Sequence, residues 1–239
     1  MWLEDCIREL KGKKELRGLD DEFVRNRIAD YLRKEGVHFS GEYGCIKKTK
    51  PFKLMFKLLR KQLRDVYGVF QQVRESRSRL VYERILRESG SSILDIGCGE
   101  APFEYCLLYP EKTYYLCDID AALVAKLQGC MRKNKLKGKA FVFSPLDDAL
   151  DKLPAVDTVL LLKTLESFEA LERDISKRLL KQLQCRKIVV SFAKVALGRK
   201  IKIRKSGRAW FRRMLEEPGY SYTIEDIDKE IFFFIDKGY

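Results

Sequence analysis

From residue 91 to residue 193 the chain alternates short, nearly unbroken apolar runs with longer stretches of helical spacing, and this alternation narrows the fold more than any other feature. The runs are "SSILDIG", "TYYLCDID", "AFVFS", "VDTVLLLK" and "RKIVVSF". Between them lie "APFEYCLLY", "AALVAKLQGCMRKNK", "LDDALDKL" and "SFEALERDISKRLLKQLQ", which read as helices. Strands that are apolar throughout must be covered on both faces, and helical crossovers make their pairing parallel. The tail "YSYTIEDIDKEIFFFID" holds two β-prone runs around a polar turn, which predicts an antiparallel pair closing the sheet. The expected fold class is α/β, a Rossmann-like doubly wound sheet with a terminal antiparallel strand, preceded by a helical domain.

That first domain is read over residues 1–89, and the sheet domain over 90–239. "DDEFVRNRIADYLRKEG" spaces Phe23, Val24, Ile28, Tyr31 and Leu32 near 3.6 residues, with acids at its start and Gly36 after its end. "KPFKLMFKLLRKQLRDVYGVFQQV" and "SRSRLVYERILRES" continue as helices, and "VHFSGEYGC" reads as a loop.

The first apolar run ends in "ILDIGCGEAPF", the turn after the first strand, where an open α/β sheet binds its ligand. Gly97 and Gly99 let the backbone bend tightly and approach a ligand closely. A dinucleotide fingerprint requires G-x-G-x-x-G to seat a pyrophosphate on a helix N-terminus. Here Pro102 takes the third place, and Asp95 and Glu100 would repel a pyrophosphate. Those acids suit a ligand carrying an ammonium group, S-adenosyl-L-methionine (SAM). A second acid for ribose hydroxyls is expected at the end of the next strand, and "YYLCDID" supplies Asp118. A lone G-x-G is an ordinary turn; strand, acidic turn and spaced second acid together indicate a SAM-dependent class I methyltransferase. Ile119 would pack on the adenine. Asp147 or Asp148 would meet the adenine amino group, or else cap a helix.

The chain carries 48 Lys and Arg against 35 Asp and Glu, a net charge of +13. The excess is concentrated. Residues 45–80 hold 11 basic and 2 acidic side chains, and residues 186–213 hold 11 basic and none acidic. Dense basic blocks interleaved with Trp210 and Phe211 are the footprint of phosphate and base contacts, so the expected partner is structured RNA. The alternative is a solvated helix face with Trp210 in the core. The 7 cysteines form no C-x-x-C pair and the single histidine is His38, which argues against a metal site or a disulfide framework. Acids in "MWLEDCIREL" and the lack of a long apolar run lead us to expect a cytoplasmic monomer that engages no membrane.

The acceptor atom narrows by exclusion. Adenine amino-group enzymes carry an Asp/Asn-Pro-Pro-aromatic turn after strand four, where this chain reads "LLLKTLESFE". Cytosine carbon-5 enzymes need a nucleophilic cysteine there, and ribose 2′-O enzymes a Lys-Asp-Lys-Glu set of which only Lys163 has a counterpart. A ring nitrogen with a free lone pair, such as guanine N7, needs no general base, and catalysis is then mostly positioning.

"RESRSRL", "SSILDIGCGEAPF", "YYLCDIDAAL", "VDTVLLLKTLESFEALER" and "IVVSFAKVALGRK" resemble successive motifs of the aminoglycoside-resistance 16S rRNA guanine-N7 methyltransferases, the Arm family. The resemblance runs from about residue 74 to the C-terminus. It implies methylation of guanine N7 near the decoding site of the small ribosomal subunit, with SAM as cofactor. It implies that Arg77 grips the SAM carboxylate, that Lys163 faces the target guanine or a flanking phosphate, and that Thr164 and Leu165 line the sulfonium. Ser191 and Phe192 would border the base pocket, and Arg199, Lys200, Arg208 and Trp210 would contact RNA. After Phe192 the family's Pro-Thr-Lys-Ser is replaced by Ala193, Lys194, Val195 and Ala196. A tRNA methyltransferase and a non-catalytic RNA-binding relic of the same fold are the alternatives.

Overall fold

The computed structural model describes residues 2–68, 77–194 and 208–238. The chain divides into two compact units, residues 1–74 with 119–122, and residues 75–118 with 123–239.

The first unit is helical. Helix α1 (Trp2–Leu10) buries Cys6, Ile7 and Leu10, and α2 (Asp21–Glu35) buries Phe23, Val24 and Ile28. The Asp20 side chain accepts the Phe23 N–H at 3.0 Å and so caps α2, while Gly36 ends it in the left-handed conformation. The segment read as a loop contains a single helical turn, α3 (Tyr43–Ile46). Helix α4 (Lys50–Leu63) begins at a Thr49 cap with Pro51 in its first turn, and buries Phe52, Met55, Leu59 and Leu63. Its opposite face exposes Lys53, Lys57 and Lys61 together with Leu54 and Leu58. Residues 119–122 belong to this unit. The Ile119 carbonyl accepts the Asp20 N–H at 2.8 Å, and the Ala121 N–H donates to the Gly18 carbonyl at 2.9 Å.

The second unit opens with α5 (Arg79–Arg87), which the sequence places in the first domain. Its apolar face of Val81, Tyr82, Ile85 and Leu86 packs in the core of the sheet instead. The sheet elements follow in order: β1 (Ser92–Ile96), α6 (Pro102–Leu108), β2 (Thr113–Asp118), α7 (Ala121–Lys133), β3 (Lys137–Val142), β4 (Val156–Leu162), α8 (Leu165–Leu171), α9 (Ile175–Gln182), β5 (Cys185–Ala193), α10 (Ala209–Glu216), β6 (Ser221–Ile227) and β7 (Glu230–Asp236).

These strands form one sheet in the order β3-β2-β1-β4-β5-β7-β6, parallel from β3 to β5, with β7 antiparallel to both of its neighbours. Side chains alternate between two cores, as the strand period of two demands. Leu94, Ile96, Val159, Leu161, Ile188, Val190 and Phe233 meet α8, α9 and α10 on one face. Ile93, Leu160, Leu162, Val189, Phe232 and Phe234 meet α5, α6 and α7 on the other.

A polar staple locks β1 against β4. One carboxylate oxygen of Asp157 accepts the N–H groups of Ser91 and Ser92 at 2.8 and 2.9 Å and both hydroxyls at 2.9 and 3.0 Å. These bonds, the Ser91 hydroxyl foremost, pull its carboxyl down to about 2.

Three expected elements of the sheet unit differ; the helix expected over "LDDALDKL" is only a short 3-10 turn at Leu150–Lys152. Strand β3 begins at Lys137, before the apolar "AFVFS", because it is an edge strand with an exposed, lysine-rich face. The expected single helix over 167–184 is broken at Asp174, whose φ is +65°. Glu169 turns back to accept the N–H groups of Asp174 and Ser176 at 2.9 and 2.8 Å, and so caps α9.

Candidate active site at the strand ends

The turn after β1 is built on two left-handed glycines, Gly97 at φ +70° and Gly99 at φ +56°. The N–H groups of Gly97 and Cys98 both donate to the Cys117 carbonyl at 2.8 and 3.1 Å, which ties the turn to the end of β2. The Gly99 N–H donates to the Asp118 carboxylate at 3.0 Å. At Gly97 the fold leaves no room, since an added Cβ would stand 2.6 Å from Thr164 Cγ2. At Gly99 it leaves open space, since an added Cβ would meet nothing within 4 Å among the described residues.

Asp95, at the end of β1, is 1% exposed. One carboxylate oxygen accepts the Tyr105 hydroxyl at 2.8 Å, and the other is buried with no hydrogen-bond partner among the described residues. Burial raises this carboxyl to about 7. Tyr105 and the positive charge of Arg77 pull it down, and Asp118 pushes it up. A buried oxygen without a donor is a request for one, and a ligand ammonium answers it. The buried Thr164 hydroxyl also lacks a partner among the described residues. Two orphaned polar groups flank a glycine turn with free space and a second carboxylate, a set that fits the ammonium, sulfonium and ribose of SAM.

On the neighbouring strands a charged cluster closes the site. Lys163 follows β4 in the left-handed conformation, φ +60°, held by its N–H donating to the Ser191 carbonyl at 3.0 Å. A long side chain in that region is uncommon and marks a position the surrounding fold dictates. Its ammonium lies 3.4 Å from Glu230, the first residue of β7. Arg77 grips the same carboxylate with two bonds of 2.8 and 3.2 Å, and the Ser191 hydroxyl donates to it at 2.6 Å. Burial alone would raise the Glu230 carboxyl; Arg77, Lys163 and Ser191 outweigh it and hold the group below the usual carboxylate range.

Glu230 is the member of this cluster that the sequence reading misses. The β5–β7 register sets Ser191 opposite Phe232 and Ala193 opposite Glu230, which puts Ser191 and Glu230 on one face, diagonally adjacent. Only an acid directly before the apolar run "IFFFI" hints at it in the sequence.

Several expected roles change. The fork of Arg77, expected to grip the cofactor carboxylate, is closed on Glu230. Leu165 is fully buried in the core as the first residue of α8. Phe192 is fully buried between Trp210, Phe211 and Phe233, with ring centroids 5.0–6.0 Å away. Ser191 is also fully buried, and its hydroxyl donates to Glu230. Arg208, expected on RNA, is 5% exposed. It lies over the Phe192 ring at 4.7 Å, pairs with Glu166 at 2.8 Å and donates to the Ala193 carbonyl at 3.1 Å. Trp210 is half-buried against the same core, the alternative noted for it above. Asp148, not Asp147, takes the N–H of Ser144, at 2.8 Å, and caps the turn after β3. Ile119 falls in the first unit. Arg199 and Lys200 lie outside the described residues.

Solved structures resemble the whole chain. A 16S rRNA methyltransferase, RmtF, crystallised with S-adenosyl-L-homocysteine, superposes with a TM-score of 0.76 at 19% identity, covering 99% of this chain and 98% of that one. The chain has a class I methyltransferase fold. The 16S rRNA methylase RmtB gives a TM-score of 0.72 at 18% identity over 99% of this chain and 98% of that one. An rRNA methylase from Escherichia coli gives 0.63 at 20% identity over 99% and 100%. No protein-family model and no curated protein matches the sequence.

Proposed function

We propose that this protein transfers the methyl group of SAM to guanine N7 of small-subunit rRNA, near the decoding site. The observation that carries the reading is the buried Asp95 oxygen without a donor, set beside the open space at Gly99 and the carboxylate of Asp118. Full-length likeness to structures of 16S rRNA methyltransferases supports the choice of RNA. The exposed lysine face of α4 supports RNA docking in the first unit, where phosphate contacts supply affinity.

SAM supplies an electrophilic methyl group on a sulfonium. Asp95 would hold the ammonium and Asp118 the ribose hydroxyls, while Thr164 lines the space between. Guanine N7 attacks with a lone pair, so no side chain has to remove a proton, and the protein's task is alignment. Lys163 would face the guanine or its flanking phosphate. The target base has to leave its stack to reach strand ends in a pocket, which is how enzymes act on a base within structured nucleic acid.

The test is tritiated-methyl transfer to purified small subunits, naked rRNA and tRNA, with the product mapped by reverse transcription after borohydride–aniline cleavage, which reports N7-methylguanine. Incorporation into small subunits is expected. Incorporation only into tRNA refutes the ribosomal substrate, and no thermal stabilisation at saturating SAM refutes the enzyme. Lys163→Ala is expected to bind SAM normally while losing most transfer activity, at least about a hundredfold.

A further inference from the structure

Three side chains from three places in the chain converge on the carboxylate of a fourth. Arg77 precedes α5, Lys163 follows β4, Ser191 stands on β5 and Glu230 opens β7. The charged members are almost fully withdrawn from water, with side-chain exposures of 8% for Arg77, 11% for Lys163 and 7% for Glu230. Both cations face the Glu230 carboxylate, and the buried Asp95 carboxyl also feels the positive charge of Arg77.

This arrangement matters for the reaction proposed above. When N7 accepts a methyl group, the positive charge of the sulfonium moves onto the guanine ring, and no proton leaves to cancel it. A bare ammonium beside that ring would oppose the transfer. An ammonium paired with a carboxylate 3.4 Å away opposes it far less, because the pair is neutral at a distance.

We infer that Glu230 is a positioning residue for methyl transfer, fixing Lys163 beside the target base and neutralising its charge, with Arg77 and Ser191 holding Glu230 itself in place. It touches neither cofactor nor base. The inference rests on the proposed reading for its catalytic consequence, but the coupling between Glu230 and Lys163 stands apart from any reaction.

The experiment compares the wild type, Glu230→Gln and Glu230→Asp in the full chain. The first readout needs no substrate: brief acetylation with limiting acetic anhydride, followed by peptide mass spectrometry at Lys163. The Lys163 ammonium is withdrawn from water and held 3.4 Å from Glu230, so Glu230→Gln is expected to release it to solvent and raise its acetylation rate severalfold, and Glu230→Asp by less. The second is single-turnover methyl transfer to small subunits with SAM and RNA both saturating. Glu230→Gln is expected to slow it by about 10- to 100-fold, Glu230→Asp to recover part of the rate, and the dissociation constants for SAM and RNA to stay within about threefold. Unchanged Lys163 acetylation in Glu230→Gln, or in Glu230→Asp should the glutamine variant not fold, overturns the anchor. Unchanged turnover, or a loss confined to SAM or RNA affinity, overturns the positioning role. If the wild type methylates none of the RNAs, the proposed function fails, and the acetylation result still decides whether Glu230 holds Lys163.

Discussion

Replacing Gly97 by alanine perturbs the site at the point where its two halves meet. Two costs can be worked separately from the geometry. Holding an L-residue at φ +70° costs about 1–2 kcal/mol. The new methyl would stand 2.6 Å from Thr164 Cγ2, inside van der Waals contact, and forcing a methyl into a packed site costs about 1–3 kcal/mol more. Thr164 cannot swing away freely, because it is β-branched and its hydroxyl is buried. The total is about 2–5 kcal/mol. At about 2–4 °C per kcal/mol for a domain of this size, the midpoint of thermal unfolding should fall by about 4–20 °C. Thr164→Ser removes Cγ2 alone and should by itself cost about 0.5–1.5 kcal/mol. In the double variant the clash disappears and only the backbone cost remains. The cycle should therefore return a favourable coupling of about 1–3 kcal/mol, read by differential scanning fluorimetry and confirmed by urea unfolding. A Gly97→Ala variant that melts with the wild type would refute the reasoning, as would a serine at 164 that restores nothing.

Asp95 gives a pH signature. Its folded carboxyl titrates at about 7 and its unfolded one near the ordinary 3.8, so the folded state binds more protons between these values. Stability of the cofactor-free protein should fall as pH rises through that window, and Asp95→Asn should flatten the slope. SAM should bind more tightly as pH rises through about 7, where the carboxylate forms, and calorimetry should show Asp95→Asn weaker by about tenfold or more at pH 8 with little pH dependence. Asp157 has the opposite sign. Its carboxyl, held at about 2, contributes stability above about pH 4 that is lost as pH falls toward 2. Asp157→Ala, which removes the acceptor of the part-buried Ser92 N–H and of the exposed Ser91 N–H, should destabilise by about 1–2 kcal/mol, and acid unfolding that coincides with the wild type's would count against the staple. Arg208 and α4 separate structure from RNA contact. Arg208→Ala should lower the melting temperature and leave the salt dependence of RNA binding unchanged, whereas Lys57→Ala should reduce that slope by about 1 in filter binding across a salt series.

The sheet and the glycine turn at its strand ends are legible in the sequence because local rules govern both. A buried parallel strand must be apolar along its length, and a turn that approaches a ligand must use glycine, so "SILDIGCG" declares its role within eight residues. Asp118 follows from spacing, since the next parallel strand ends beside the first. The start of edge strand β3 is hidden in the sequence because its exposed face carries lysines where a buried strand carries valines.

The substrate end was decided by tertiary structure. Basic residues look alike in sequence, yet Arg208 lies over Phe192 and pairs with Glu166 inside the domain, while the lysines of α4 stand in water. Burial separates them, and burial depends on which face of α10 meets the sheet. Phe192 and Ser191 are adjacent in the chain, but the strand pleat sends one into the aromatic core and the other to Glu230. Glu230 itself belongs to a hairpin far from the glycine turn in sequence. No local pattern pairs it with Arg77 and Lys163; the antiparallel register of β7 against β5 does, because a shift of one residue would turn its carboxylate to the opposite face of the sheet.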